Sequence, residues 1–395
     1  GDSIAWGQGL TTDHRWRQLV TRRLGAKLQR PIVELPSALH SGATIGIGDR
    51  NEIADTSRDR VALDRYSPGY ASALSADGSR ARSSTFELSY LKEDPLAGEI
   101  PSQTPTVFRQ IDDFDTGPYR DAKVDLIFVS AGINDVNVAR LLDPVADRVY
   151  VRQLIDAHCR YHLTALLDRI RVRFVEPNPA CIVVVLSYYP MIGDDSLAIP
   201  PVRDLVRALL GSPVETKAQR RDQSFERGAA ALTANTSDLG GAAYRYTVAE
   251  PGEAANAAPR RKLSFLARAI VGAANRFFEQ SEIAIGAAGD DANRKPFTPN
   301  FVHVTPNIDP LHTVFTVQPD PQLWSVTLDG ILPEDEVAAE RVKICDRLGI
   351  ERHDLDPSAI NACRIASIGH PNANGAEQYA SSICAALEPR LRSRI

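Results

Sequence analysis

Apolar and polar positions alternate along this chain in two recurring patterns. Residues 124–130 and 181–186 are almost continuously apolar, which is typical of strands buried on both faces of a parallel sheet. Between them, from about 150 to 174, apolar residues recur at helical spacing. The order strand, helix, strand predicts an α/β fold with right-handed crossovers. Residues 301–304 are predicted to form a last short strand.

Further periodic segments predict additional helices and strands. A first helix is predicted over residues 13–28, with Thr12 or Asp13 as its cap. Other predicted helices cover residues 201–210, 219–234, 263–285 and 374–391, and short strands are predicted at 32–35 and 86–91.

We expect a single domain, residues 1–395, enlarged by two insertions. From about 50 to 115 the composition turns polar and rich in Ser, Asp, Arg and Gly. Residues 191–310 contain more chain than one crossover needs, and their helical periodicity suits a helical cap over the sheet.

The amino-acid composition and net charge limit which kinds of molecule this protein is expected to bind. With 395 residues, 43% of them hydrophobic, the chain can bury a substantial core. Its net charge is -5 and its basic clusters are short, which does not favour nucleic acid or an anionic membrane as partner. No uncharged apolar stretch reaches about 18 residues, so no transmembrane segment is predicted. Zinc and phosphate-loop motifs are absent, and neither a metal nor a cofactor is expected.

The five cysteines cannot all pair with one another. Cys345 and Cys363 bracket a polar loop just ahead of His370, and this pattern is compatible with a disulfide or with two free thiols. A disulfide would favour a secreted or extracytoplasmic protein. The chain begins at Gly1 without a leader pattern, so we expect processing or trimming upstream, and localisation otherwise stays open.

Four short motifs carry the candidate chemistry. They are Gly-Asp-Ser at 1–3, Ser-Gly-Ala-Thr at 41–44, Gly-Ile-Asn-Asp at 132–135 and His-Pro-Asn at 370–372. A serine hydrolase needs a nucleophilic hydroxyl, hydrogen-bond donors for a developing oxyanion, and a general base. Each motif can supply one of these groups.

The residue types indicate which group each motif supplies. Ser3 offers a nucleophilic hydroxyl. Gly42 offers a backbone N–H that no side chain obstructs. Asn134 offers an amide at the carboxyl end of a predicted strand, where open α/β sheets bind ligands. His370, just ahead of the terminal helix, can serve as general base.

Together, in this order, the motifs resemble the SGNH hydrolase superfamily, which includes the GDSL-type esterases and lipases. The resemblance implies a flavodoxin-like three-layer α/β/α sandwich around a central parallel sheet. It also implies that Ser3 is the nucleophile and His370 the base, with an oxyanion hole formed by the Ser3 N–H, Gly42 and Asn134. The motifs span nearly the whole chain, whereas the two insertions resemble no known pattern.

Two features depart from the family pattern. The aspartate that usually stands three residues before the histidine is replaced by Ser367. Either a backbone carbonyl orients His370 in a Ser–His dyad, or Asp354 or Asp356 from the preceding loop completes an atypical triad. The family also has an apolar strand directly before its Gly-Asp-Ser turn, so we expect an upstream segment to complete the sheet.

The expected function is hydrolysis of small-molecule or lipid carboxylic esters through an acyl-serine intermediate. Two alternatives stay open: a binding protein that keeps the fold but has lost catalysis, and an acyltransferase that uses the same serine. Tyr188 and Tyr189 follow the second predicted strand, and they either line a substrate pocket or pack in the core.

Overall fold

The computed structural model describes the chain in several ranges, and within them it has a mixed α/β fold. The described residues are 1–35, 38–45, 96–102, 105–136, 138, 141, 148–193, 196, 258–294, 300–314, 316, 318–325, 335–351, 360 and 363–392. The strands are β1 (Leu126–Val129), β2 (Ile182–Leu186) and β3 (Phe301–Val304). The helices are α1 (Ser3–Trp6), α2 (Trp16–Leu28), α3 (Val107–Thr116), α4 (Ile133–Val136), α5 (Arg148–Ile155), α6 (Leu163–Ile170), α7 (Ala258–Asn293), α8 (Ala338–Glu351) and α9 (Ala373–Arg392).

The three strands form a parallel sheet in the order β1-β2-β3. Ile127 lies opposite Val183, and Val184 lies opposite Val302. Every residue of β2 is buried, because this strand has a neighbour on each side. All three strands were predicted from their apolar runs, and their parallel pairing is confirmed.

Two groups of helices pack against the sheet. α2 packs along α9, and the ring of Trp16 links this pair to the sheet by an edge contact with Phe128 at 5.2 Å. Trp16 also stacks on Tyr379 of α9 at 6.1 Å. The second group consists of α7 with α5 and α6, and α7 contacts both β2 and β3. None of the helices in the described ranges combines the length and apolar character needed to cross a lipid bilayer.

α5 and α6 belong to one long helical stretch. A wider π-helical turn, Asp156–His162, joins them, and a second one, Arg171–Val175, ends the stretch. The predicted helix 150–174 is therefore confirmed. The predicted helix 263–285 is also present, but α7 is longer at both ends.

Two local predictions were wrong. α2 begins at Trp16 behind Arg15, not behind Thr12 or Asp13, because residues 12–14 form a separate 3₁₀ turn. Residues 32–35 have no strand pairing in the structure, and Val33 is 77% exposed. The predicted elements at 86–91, 201–210 and 219–234 lie outside the described residues.

Parts of both predicted insertions belong to the main core. α3 occupies the end of the 50–115 stretch, and its Val107, Phe108 and Ile111 are buried in that core. α7 and β3 fall within 191–310, yet β3 pairs with β2 and α7 packs on the sheet. These segments belong to the main fold, since their apolar faces are buried in its core.

A cavity of about 580 Å³ runs along β1. All four β1 residues line it, together with Val20 and Leu24 of α2 and Ile111 and Phe114 of α3. Within the described ranges β1 pairs with β2 alone, so its outer edge faces this apolar cavity.

A smaller core lies beside the main one. Its buried members are Ile100, Ile344, Leu348 and the disulfide-bonded cysteines 345 and 363. The Cα atoms of the two cysteines are 5.9 Å apart. The sequence left this bridge open, and the structure contains it, so α8 is joined covalently to the segment that leads to His370.

Candidate active site

Hydrogen bonds to Asp2 fix the Gly-Asp-Ser turn. Asp2 Oδ1 accepts the N–H of Ile4 at 3.0 Å and so caps α1. Ser130 Oγ donates to Oδ1 at 2.6 Å, and the Tyr188 hydroxyl donates to Oδ2 at 2.7 Å. The N–H of Asp2 donates to Ser130 O at 3.1 Å. Ser3 is thereby held as the first residue of α1, with 5% of its surface exposed.

Ser3 and His370 are in direct contact, although 367 positions separate them. The distance from Ser3 Oγ to His370 Nε2 is 2.8 Å. The other ring nitrogen, Nδ1, lies 3.3 Å from the carbonyl oxygen of Ser367. Because a carbonyl oxygen can only accept, this geometry requires the proton on Nδ1 and leaves Nε2 free to accept the serine proton.

The turn that carries His370 is pinned on both sides. Trp324 N–H donates to His370 O at 2.8 Å, and Gly369 N–H donates to Trp324 O at 2.9 Å. The Tyr189 hydroxyl donates to Gly369 O at 2.9 Å. Gly369 has φ +79°, and a Cβ there would lie 1.9 Å from Met191 Cε. This position therefore requires glycine.

Burial lowers the pKa of His370 to about 4. The Asp2 carboxylate and the Ser367 carbonyl oppose this shift, whereas the positive charge of Arg341 adds to it. Removing an imidazolium from water is unfavourable, which is why the neutral ring dominates. His370 is thus in its proton-accepting form at any pH well above 4.

The Ser-Gly-Ala-Thr loop is tied to residues 98–102, which lie within the 50–115 stretch predicted as an insertion. Ser41 N–H donates to Gly98 O at 2.7 Å, and Ser102 N–H donates to Ser41 O at 2.9 Å. Gly42 has φ +78°, and a Cβ there would lie 2.8 Å from Ser102 N. Backbone conformation and crowding both demand glycine at this position.

Asn134 lies just past the carboxyl end of β1 and contacts the same loop. Its Nδ2 donates to Ala43 O at 3.0 Å. An amide nitrogen carries two hydrogens, so Nδ2 can donate a second bond. The next residue, Asp135, accepts the N–H of Ile45 at 3.1 Å. Two adjacent side chains therefore join the 41–45 loop to the 132–135 turn.

Sequence reasoning missed a buried group behind Asn134. Burial raises the pKa of Asp135 to about 7, and the hydrogen bond from Ile45 opposes that shift. His158 Nδ1 lies 3.8 Å from Asp135 Oδ1, and His162 Nδ1 lies 3.0 Å from His158 Nδ1. The two histidines are one helical turn apart, and that spacing was the available signal.

A second missed group lies beneath Ser367. Its hydroxyl donates to Asp335 Oδ2 at 2.5 Å, and Arg341 bonds the same hydroxyl at 3.2 Å. Arg341 also pairs with Asp335 and with Glu99, and all three charged side chains are buried. Asp335 and Glu99 lie far from His370 in sequence, so no local motif indicates them.

The predicted site residues thus fall into four groups. Ser3 and His370 contact each other, and Asn134 contacts the loop that carries Gly42. Tyr188 and Tyr189 are 4% exposed, and their hydroxyls bond Asp2 and Gly369 as described above. The side chain of Ser367 contacts Asp335, whereas its carbonyl faces His370. Two further candidates for the orienting carboxylate, Asp354 and Asp356, lie outside the described residues.

Comparisons with family models, with curated proteins and with solved structures give no match to this chain.

Proposed function

We propose that this protein is a serine esterase of the SGNH type, which hydrolyses carboxylic esters through an acyl-serine intermediate. The 2.8 Å contact between Ser3 Oγ and His370 Nε2 carries this proposal. It joins a buried hydroxyl to a neutral imidazole whose Nδ1 faces a carbonyl oxygen. A nucleophile and base within hydrogen-bond reach, with the base held by a third group, are what acyl transfer requires.

In the proposed reaction, Ser3 Oγ attacks the ester carbonyl carbon while His370 Nε2 takes the hydroxyl proton. The tetrahedral intermediate collapses, the C–O bond to the alcohol breaks, and His370 returns the proton to the leaving oxygen. Water then repeats the sequence on the acyl-serine and releases the acid.

The negative oxygen of the tetrahedral intermediate needs hydrogen-bond donors. We assign this role to the backbone N–H groups of Ser3 and Gly42 and to the Asn134 amide. The bond from Asn134 to Ala43 O supports the assignment, because it fixes the amide against the loop that carries Gly42. Loss of one such donor lowers kcat by about 10²–10³.

The base works as part of a Ser–His dyad in this proposal. The Ser367 carbonyl takes the orienting role of the carboxylate that the family pattern would place there. A carbonyl carries only a partial charge, so it stabilises the imidazolium less than a carboxylate does. The buried charge of Asp2 offsets part of that difference.

The finer fold assignment is also a proposal. A flavodoxin-like three-layer sandwich agrees with the parallel sheet and its two helix groups. In such a sandwich an upstream segment would add a strand beside β1, and the apolar cavity at that edge supports this arrangement.

One observation favours a second candidate, a binding protein without turnover. The pKa of His370, lowered by burial to about 4, makes it a weak base, and general bases work best with a pKa near the operating pH. The two candidates differ in whether Ser3 reacts.

The test combines turnover with labelling. p-Nitrophenyl esters of rising chain length are assayed with the wild type, with Ser3→Ala and with Ser381→Ala, a control at an exposed hydroxyl on α9. We expect turnover in the wild type and the control, its loss in Ser3→Ala, and labelling of Ser3 by an alkyl phosphonate in the mass spectrum. Full activity in Ser3→Ala would overturn the proposal. An unreactive Ser3 without turnover of any ester would favour the binding protein.

A further inference from the structure

The carbonyl oxygen of Ser367 contacts both the backbone and the ring of His370. Ser367 O accepts the N–H of His370 at 2.9 Å and lies 3.3 Å from Nδ1 of the same residue. Both bonds close one tight turn. A displacement of this oxygen would therefore rotate the imidazole and move Nε2 away from Ser3.

The side chain of Ser367 is anchored below that turn. Its Oγ donates to Asp335 Oδ2 at 2.5 Å and accepts from Arg341 at 3.2 Å. Ser367 and Arg341 are fully buried, and Asp335 is 8% exposed. Without the hydroxyl, Asp335 and Arg341 would still pair with each other, and Arg341 would still bond Arg364 O at 3.4 Å, but neither would bond Ser367.

The same ion cluster also reaches the nucleophile. Arg341 pairs with Glu99 Oε2 at 3.2 Å. Glu99 accepts from Trp6 Nε1 at 2.7 Å and from Gly9 N–H at 3.1 Å. Trp6 ends α1, the helix that begins at Ser3. One buried cluster therefore fixes the turn of the base and the helix of the nucleophile against each other.

The geometry points to Asp335 as a positioning residue for His370, acting through the Ser367 hydroxyl. This inference rests on the proposed esterase function. Asp335 makes and breaks no bond in the reaction. It holds the Ser367 carbonyl where the Nδ1–H bond keeps Nε2 directed at Ser3. Removing one partner of a buried ion pair destabilises the fold, because the other charge is left buried with less compensation. The loss of stability is therefore measured separately from the loss of kcat.

The charge of Asp335 gives its positioning role a second measurable effect, a change in the pKa of His370. The charged groups acting on His370 are Asp2, which favours the imidazolium, and Arg341, which opposes it. Asp335 and Glu99 balance Arg341. Asp335→Asn leaves Arg341 with one carboxylate fewer, so the pKa of His370 falls further and the acid limb of kcat/KM moves to lower pH.

The experiment uses four variants of the full chain. Ser367→Ala removes the hydroxyl, Ser367→Thr retains it, and Asp335→Asn removes the charge. Asp346→Asn is the matched control, because Asp346 is a half-exposed carboxylate on α8 that pairs with Arg364. Thermal unfolding first establishes the folded fraction of each variant.

We expect kcat to fall about ten- to hundredfold in Ser367→Ala and Asp335→Asn, as for a misplaced catalytic group, with KM nearly unchanged. Ser367→Thr should recover most of the loss, and the acid limb should move to lower pH in Asp335→Asn. Losses of kcat that match the folded fraction, with an unmoved acid limb, would overturn the inference.

Nitrogen chemical shifts of the His370 ring give a readout without turnover. The wild type should hold the Nδ1–H tautomer at neutral pH, and Ser367→Ala and Asp335→Asn should populate both tautomers. An unchanged tautomer in both variants would count against Asp335. Absent ester turnover together with an unreactive Ser3 would instead refute the esterase, whatever the tautomers show.

Discussion

Gly42 has a backbone conformation that few other residues tolerate. Its φ of +78° is in the left-handed region, and the carbonyl and N–H of Ser102 crowd the place where a Cβ would lie. Sequence reasoning selected this glycine for its exposed N–H. The structure adds that any side chain would push the loop away from Ser102 and so move the proposed oxyanion donor.

Gly42→Ala should therefore lower both stability and activity. Strain at a positive φ costs on the order of 1–2 kcal/mol, and a displaced oxyanion donor should lower kcat by about 10² or more. Ester hydrolysis and thermal unfolding measure the two effects. Gly272→Ala in α7 is the control, because a Cβ added there would meet nothing within 4 Å. This substitution should stabilise the fold by about 0.5–1 kcal/mol. Equal effects of the two substitutions would contradict this account of Gly42.

The identity of the nucleophile and base candidates was accessible from sequence. For the group that faces His370, the sequence left a backbone carbonyl and a carboxylate open, and it did not indicate which residue supplies the carbonyl. Ser3 and His370 have distinctive side chains within recognisable motifs. The group that faces Nδ1 is a backbone carbonyl. Because every residue has one, the residue type at a position does not indicate that its carbonyl has this role. Asp335 reaches that turn only through folding, from 32 positions upstream of Ser367.

Among the secondary-structure elements, the sequence predicted best those that are buried along their whole length. β2 is apolar throughout because both of its faces and both of its edges are covered. The start of α2 was missed because Thr11 and His14 bond Glu336 from a distant segment. Such tertiary contacts override local capping preferences, and a single sequence does not reveal them.

The disulfide joins α8 to the segment that holds His370, and its loss should destabilise the fold. The two cysteines are 18 positions apart. For a loop of this length, cross-linking restricts the unfolded chain enough to stabilise the fold by about 3 kcal/mol.

A double substitution, Cys345→Ser with Cys363→Ser, should lower the free energy of unfolding in urea by roughly that amount. Cys384→Ser, at a free and half-buried cysteine, is the control. A double variant as stable as the control would show that the bridge contributes nothing measurable.

Along β1 the described residues surround a cavity of about 580 Å³. Apolar residues of α2, α3 and β1 surround it, and the outer edge of β1 faces it. Backbone groups at a strand edge favour pairing with a further strand. Because the cavity is apolar, that strand should present apolar side chains to both helix layers.

Extending the chain ahead of Gly1 by five or six β-branched residues should therefore raise the melting temperature. The same extension with a central proline is the control, since proline cannot donate to the ladder. Differential scanning calorimetry compares the two proteins. A melting temperature that is equal in both would mean that the cavity does not accept a strand.

Tryptophan side chains lie in the cluster around Glu99 and beside the His370 turn, so their fluorescence can report on these regions. All three tryptophans of the chain lie in the structure that supports Ser3 and His370. The indole Nε1 of Trp6 donates to Glu99, and the indole Nε1 of Trp16 donates to the carbonyl oxygen of Ile4 in α1. Trp324 is bonded to His370 and Gly369 through its backbone. Intrinsic fluorescence therefore reports on this region, and we expect its emission to change during the proposed acylation of Ser3, without an attached dye.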